Sequence, residues 1–287
     1  MLNVLVAYPY WGKNVEKYLG KLDKGDFRLM VDSGAFTAWN LGKKITLEDY
    51  GVFLESISHH RPFHAIQLDV FGHPDASYAN FLEMRKRGYD VMPVFTRGES
   101  LERLEFFYTV TDYILFGGIV TGMQNREYVK WFLRQNKGRK AHWLGFVNIP
   151  FIARYQPESV DASSWTACLR WGHIHINRKN GTIGTLRREH FLSRPKREVV
   201  EEIISMGFTY QDIENLAKPE AWVNKGTDPE APGLKTLAGK ISTCSYIKFA
   251  QRIEKNFKTK VYLAASDATI PLLIYCYLHL KNTNTLN

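Results

Sequence analysis

Cysteine is scarce: Cys168, Cys244 and Cys276 are the three in 287 residues, and no two of them share a CxxC or CxCxxC spacing. An odd number of distant cysteines encodes neither a disulfide framework nor a structural zinc site, and it suits a reducing interior such as cytoplasm. Long apolar runs are missing as well. No window approaches the roughly 20 uninterrupted apolar residues of a membrane span. The opening MLNVLVAYPYWGKN lacks a basic leader, a long apolar run and a small-residue cleavage site, so a soluble, unexported protein is expected. There is no HExxH, Walker or dinucleotide spacing, no internal repeat and no low-complexity tract.

Acid is in short supply too. Lys and Arg outnumber Asp and Glu by 38 to 29, and the net charge of +9 favours a polyanionic partner. Much of the excess lies between residues 170 and 200, where Arg170, Arg178, Lys179, Arg187, Arg188, Arg194, Lys196 and Arg197 face only Glu189 and Glu198. Trp171, His173, His175 and Asn177 interleave groups that stack on or bond to nucleotides. The segment reads as a phosphate-binding surface for nucleic acid, with a solvated loop as the plain alternative.

What is present is a βα beat. At 45% apolar residues the chain holds ample material for a core, and its length fits an α/β barrel of roughly 250 residues. Candidate strands are 3–8, 27–32, 63–71, 90–95, 113–120, 140–147 and 158–163, with helical segments at 46–58, 75–88, 100–111 and 124–136. Thr46 through Asp49 form a helix-capping signature. The expectation is a single domain over 1–287: a TIM-type (β/α)8 barrel with 170–200 as a basic insertion and about 197–287 mostly helical. Within the last part, 259–280 holds a possible strand and then a buried apolar helix, and 224–233 is the clearest loop.

In a barrel the chemistry is carried at the C-terminal ends of the strands. Those positions give Asp32, Asp69, Arg97 with Gly98, Gly117-Gly118, Gly145 and Asp161. One such aspartate is as well explained by helix capping or a turn. Three, each at the end of an apolar run (LMVDSG, IQLDVF, ESVDAS), suggest carboxylates aimed into one cavity. Clustered carboxylates repel and need a cation, a protonated member or a cationic substrate. Metal ligation by His173 and His175 is disfavoured by the basic segment around them. His59-His60 reads as a helix C-terminal pair facing the dipole. That leaves glycosyl transfer, in which one carboxylate attacks an anomeric carbon and another acid moves the leaving group's proton. The Gly117-Gly118 pair admits backbone amides close to a flat ligand. For Arg97, a phosphate or base contact and a salt bridge with Glu99 or Glu102 both stand open.

Read together, these marks resemble the tRNA-guanine transglycosylase superfamily. VDSGAF (31–36) is similar to its Asp-Ser-Gly-Gly-Phe/Tyr segment, LFGGIV (115–120) to its Gly-Gly-Leu/Ile loop and HWLGFV (142–147) to its Leu-Met-Gly-Val-Gly strand. SVDASSW (159–165) falls where that family carries its nucleophilic Asp, and the four segments keep the family's order over about residues 29–171. The resemblance implies Asp161 as nucleophile, Asp32 as acid/base and Asp69 as reader of the purine's Watson–Crick edge. It implies base stacking on Phe36 and Leu144, with Gly145 beside them, amides near Gly117-Gly118 at the base carbonyl, and Ser33 as a secondary contact. Three departures are plain: the zinc-binding CxCxxC is missing, Ala35 replaces the second motif glycine, and the Gln-Gly loop appears only as FTRGES.

These departures point to the compact DpdA-like branch of phages and some bacteria, which exchanges guanine in DNA for a 7-deazaguanine. DNA would then be the partner, gripped by the basic stretch beside a flipped nucleotide. The 7-deazaguanine would be a co-substrate, with no cofactor or metal required, and the location would be cytoplasmic, or host cytoplasm for a viral chain. The alternatives are a tRNA-guanine transglycosylase, a barrel N-glycosidase or hydrolase on nucleic acid, and a DNA-binding module without catalysis.

Overall fold

Pro93 shapes the closure of the sheet. The computed structural model describes residues 1–178, 180–222 and 236–286. Its strands are β1 Leu2–Ala7, β2 Phe27–Asp32, β3 Phe63–Ile66, β4 Val91–Met92, β5 Val94–Phe95, β6 Tyr113–Phe116, β7 Lys140–Trp143, β8 Ser159–Ala162, β9 Ile174–Asn177, β10 Ile183–Leu186 and β11 Lys260–Ala265. The main sheet runs β4-β3-β2-β1-β11-β8-β7-β6-β5, parallel throughout. Its two edges, β4 and β5, are one stretch of chain divided only by Pro93, which has no N–H to give to a ladder. The Met92 carbonyl accepts from Gln67 on one side and the Pro93 carbonyl accepts from Leu115 on the other. The sheet thus closes into an eight-staved α/β barrel of the TIM type, with the kinked 91–95 segment as one stave.

Alternation along the staves separates an inside from an outside. Leu5, Met30, Ile66, Met92, Val94, Leu115 and Tyr262 form a small inner cluster joined by Leu144. Their strand neighbours Val4, Val6, Val31, Ala65 and Ile114 face the large core under the helices. Met30 is fully buried, so Met30→Ala is expected to cost about 2–5 kcal/mol. The helix Leu47–Ser56 begins at Thr46, whose hydroxyl accepts the Asp49 amide at 3.1 Å as its capping signature predicts.

The C-terminal part is mostly helical, with a strand at the start of 259–280 as expected, and that strand has a consequence the sequence did not show. β11 supplies the last stave between β8 and β1, so the barrel is complete only when the chain returns some hundred residues after β8. Between them lies the insertion. Residues of the basic segment form an antiparallel hairpin, β9 with β10, outside the barrel. The hairpin rests on the long helix Leu237–Phe257, where Ser242 and Ser245 hydroxyls accept the His175 and Asn177 amides at 3.0 and 2.8 Å. The predicted loop at 224–233 lies outside the described residues, as does Lys179.

Candidate active site

Strand parity decides where the acids point. Met30 faces the barrel interior, so Asp32, two residues on, is directed inward at the top of β2. Tyr262 is the register partner of Asp161, and Ser159 and Asp161 share the inward phase of β8. Asp161 lies within β8 rather than at its end, and Asp69 sits three residues beyond β3 rather than on it, because the strands are shorter than the apolar runs.

Gly34 makes the Asp32 turn possible. Its φ of +73° lies in the left-handed region, and a Cβ there would fall 2.2 Å from Pro9 Cδ. The Ser33 and Gly34 amides bond Asp32, but burial and then the nearby charge of Asp161 outweigh them and push its carboxyl up to about 6. Asp69 is pushed up to about 7, first by burial; a hydrogen bond from Gln67 opposes this, and Asp32 and Glu99 add to it. Asp161 therefore acts on Asp32, and Asp32 on Asp69. The three carboxylates thus form a chain of electrostatic neighbours toward one end of the barrel.

Two of them are held by a single oxygen. Gln67 Nε2 donates to Asp69 Oδ1 at 2.7 Å. Asp161 Oδ1 accepts the Gly145 amide at 2.6 Å and lies 3.2 Å from His142 Nε2. In both, Oδ2 has no protein hydrogen bond among the described residues. Such a carboxylate is fixed in orientation yet keeps a lone-pair face for a ligand.

His142, Gln67 and Tyr50 were not singled out by sequence reasoning. His142 is fully buried, and its Nδ1 contacts Ser159 Oγ, which also meets the Tyr113 hydroxyl. This polar chain, Tyr113–Ser159–His142–Asp161, crosses the barrel interior behind the acid. Tyr50, also fully buried, donates to the Ile66 carbonyl at 2.9 Å and lies 3.4 Å from the Val31 carbonyl, pinning the ends of β2 and β3 together beneath Asp32 and Asp69. The available signal was the inward phase of His142 on its strand; Tyr50 reads as an ordinary core aromatic.

The other expected residues fall as follows. Ser33 is buried in the Asp32 turn, and Phe36 is exposed on the helix Ala35–Asn40, beside Trp39 and Phe71. Leu144 packs on the inner cluster. Gly145, at φ +66°, turns its amide onto Asp161 instead of a base. Gly117 is also corrected: its amide donates to the Phe95 carbonyl at 2.9 Å, extending the ladder past β6, so it is not open to a ligand. Gly118 is the exposed member of the pair. Arg97 makes neither expected salt bridge; its guanidinium lies 4.5 Å over the Tyr128 ring, and Glu99 pairs with Arg103 instead.

Arg170, Arg178, Arg187, Arg194, Lys196 and Arg197 are exposed and Arg188 is half-buried. Arg197 pairs with Glu201, and Arg188 donates to the Ala217 carbonyl. Arg178, Arg194 and Lys196 line a cavity of about 490 Å³ beside the hairpin, together with Glu198 and Glu202. A second groove of about 730 Å³ joins Arg187 and Arg188 to Trp171, His173 and Trp222. His173 Nε2 accepts from Arg187 Nε at 2.9 Å, which occupies the lone pair a metal would need.

Among the described residues one group could hold a metal ion: Glu16, His59 and His60. His59-His60 does form the last turn of a short helix, as expected, and has a further partner. Both imidazoles, from the short turn Ser58–His60, reach Glu16 Oε2 at 3.3 and 2.9 Å. That group lies apart from the three aspartates.

No protein-family model, curated protein or solved structure matches this chain.

Proposed function

We propose that this protein is a base-exchange transglycosylase of the tRNA-guanine transglycosylase type, acting on DNA and replacing guanine with a 7-deazaguanine. The observation that carries the reading is the field shared by Asp32, Asp69 and Asp161 at the barrel mouth, where no Lys or Arg among the described residues pairs with them. A structural cluster of acids is commonly neutralised by Lys or Arg; one met instead by a histidine, an amide side chain and backbone N–H groups suits a substrate.

The reaction divides the three acids by environment. Asp69, with Oδ1 held by Gln67, presents Oδ2 to the adjacent ring N–H and amino group of guanine. Asp161, clamped through Oδ1, attacks C1′ with Oδ2; the C1′–N9 bond breaks and Asp32 gives its proton to the departing base. The product is a glycosyl ester on Asp161. N9 of the incoming 7-deazaguanine then attacks C1′, the ester bond breaks, and the N9 proton returns to Asp32. Two displacements give retention of configuration.

The coupling between Asp32 and Asp161 serves this cycle. Esterification removes the Asp161 charge that helps hold the Asp32 proton, so Asp32 becomes a stronger acid as the leaving group needs its proton. Hydrolysis of the ester restores that charge, as would suit a barrel N-glycosidase; the two readings differ only in the acceptor. A DNA-binding module accounts for the exposed cations but leaves the unpaired acids without purpose, and the charge pattern alone does not separate DNA from tRNA.

The deciding experiment supplies labelled guanine and guanine-containing DNA and follows label into the polymer. Incorporation by the wild-type chain and its loss in Asp161→Asn are expected. Release of free base without incorporation would assign a hydrolase, and activity on tRNA alone would move the substrate to RNA.

A further inference from the structure

Three aromatic rings stand exposed beside Asp69. Phe36 and Trp39 are 54% and 55% exposed and Phe71 is 39% exposed. Their centroids lie 6.2 Å apart for Phe36–Trp39, 5.2 Å for Phe36–Phe71 and 4.4 Å for Trp39–Phe71. Phe36 and Trp39 ride the helix that follows Asp32, and Phe71 follows Asp69 by two residues, so the rings belong to the same two loops that present those acids. Single exposed aromatics are ordinary on a soluble surface, whereas a contiguous group marks a contact.

The chemistry around the rings narrows what they contact. A cavity of about 620 Å³ joins Asp69, Trp39 and Phe71 to Lys43 and Lys44. The Lys43 amide donates to the Ala38 carbonyl at 2.8 Å, folding the loop back so that both lysines stand beside Trp39. Both lysines are exposed, and no ion pair engages either among the described residues. Flat apolar faces with adjacent unpaired cations fit an aromatic ring carrying an anion, which is the chemistry of a nucleotide.

We infer that Trp39 and Phe71, with Lys43 and Lys44, form a stacking ledge for the nucleotide next to the one whose base enters the acid site, held as unpaired single strand. The ledge deepens the base-exchange reading and rests on it for the neighbouring position. Its own content is binding of single-stranded nucleic acid without regard to guanine. Every base has a face to stack, so the ledge is indifferent to sequence, while Asp69 supplies identity.

The test uses a labelled (dT)12 oligonucleotide, which has no guanine, and fluorescence anisotropy with the full chain. Trp39→Ala and Phe71→Ala are each expected to weaken binding about tenfold, and Trp39→Phe to recover most of it. Lys43→Glu with Lys44→Glu should weaken binding and flatten its dependence on log salt by about 0.7 per lysine. Failure of the wild-type chain to bind (dT)12 at low salt would overturn the ledge, as would unchanged affinity in both alanine variants. Sedimentation that shows Trp39→Ala dissolving a dimer while (dT)12 binding persists would assign the rings to a second copy and overturn it too. Weakened (dT)12 binding with no base exchange by the wild type leaves the ledge standing and removes the exchange reading. Exchange with normal (dT)12 binding by the variants does the reverse.

Discussion

The two ends of the barrel use the same kinds of side chain to opposite ends. At the N-terminal opening, a cavity of about 620 Å³ is lined by Lys24 and Arg61 and by several charges that are paired: Arg28 with Glu254 at 2.7 Å, Lys140 with Asp112 at 2.5 Å, and Lys260 with Glu158. At the C-terminal opening, Asp32 and Asp69 are pushed up to about 6 and about 7, chiefly by burial, and no Lys or Arg among the described residues relieves them. Pairing at one end is what folding alone would select. Its absence at the other is a cost in stability that the base-exchange reading assigns to substrate binding. The contrast is sharpest on one stave: Glu158 and Asp161 are three residues apart, one paired with Lys260 at the bottom and one held by the Gly145 amide and His142 at the top.

That stave gives the largest expected effect. Asp161→Ala should lower exchange at least about a thousandfold and abolish any covalent DNA adduct on denaturing gels. Glu158→Gln should leave kcat within about twofold, with a loss of stability below about 1 kcal/mol, since a half-exposed pair is screened by solvent. An adduct that persists in Asp161→Ala would remove the nucleophile assignment. Equal loss of activity in Glu158→Gln would erase the distinction between the two ends.

The buried chain behind Asp161 comes next in size. If His142 fixes the carboxylate, His142→Ala should cost about 100-fold in kcat with little change in KM for DNA, because misplacing a reacting group by about 1 Å is that expensive. His142→Gln keeps an N–H donor and should recover part of the loss, along with the wild-type shape of the pH–rate profile. A merely structural role predicts otherwise: both variants would melt earlier and keep the kcat of their folded fraction.

Much of this architecture was legible in the chain. The βα beat and the carboxylates after LMV, IQL and ESV gave the barrel and three acids that share one mouth, because period-2 burial and turn chemistry are local. The strand at the start of 259–280 and the buried helix after it were legible and are β11 and Ile270–Asn282; that β11 closes the barrel was not. A short strand behind a 21-residue helix shows no partner in sequence, and only its pairing with β1 and β8 makes it the last stave. The hairpin β9–β10 was masked by its arginines, which mark a surface in sequence but say nothing of the serine-lined helix it rests on. Gly117 was assigned to a flat ligand for its freedom and Gly145 to a base by resemblance, and the structure gives their amides to Phe95 and Asp161. A glycine announces close approach without announcing to what. His142 went unread for a similar reason, since only the register of β7 on β8 brings it to Asp161.

A smaller effect sharpens the comparison through proton linkage. Asp69 is pushed up to about 7, chiefly by burial, and the two N–H groups of a guanine edge favour its ionised form, so on the base-exchange reading binding expels the proton it still carries. Calorimetry of 7-deazaguanine binding in buffers of different ionisation enthalpy should find about half a proton released per molecule at pH 7, falling toward zero by about pH 9. Affinity should rise with pH over the same range. Asp69→Asn should release none at either pH, and wild-type binding without proton release would take the purine-reading role away from Asp69.

The smallest effect concerns stability, and its sign separates the two ends most cleanly. A carboxyl raised from 3.8 to about 7 in the folded chain ionises first in the unfolded one, so its stabilisation is complete below pH 3.8 and is lost as pH rises through about 7. Asn at position 69 still accepts the Gln67 bond through Oδ1 and cannot ionise. Asp69→Asn should therefore melt about 2–5 °C above the wild type at pH 8, with the gain shrinking toward zero near pH 4. Glu158→Gln at the paired end should show no such gain, because there the carboxylate has Lys260 as its partner. A variant at position 69 that melts lower than the wild type at pH 8 would mean that the Asp69 carboxylate stabilises the fold, and the upper end would then be as structural as the lower.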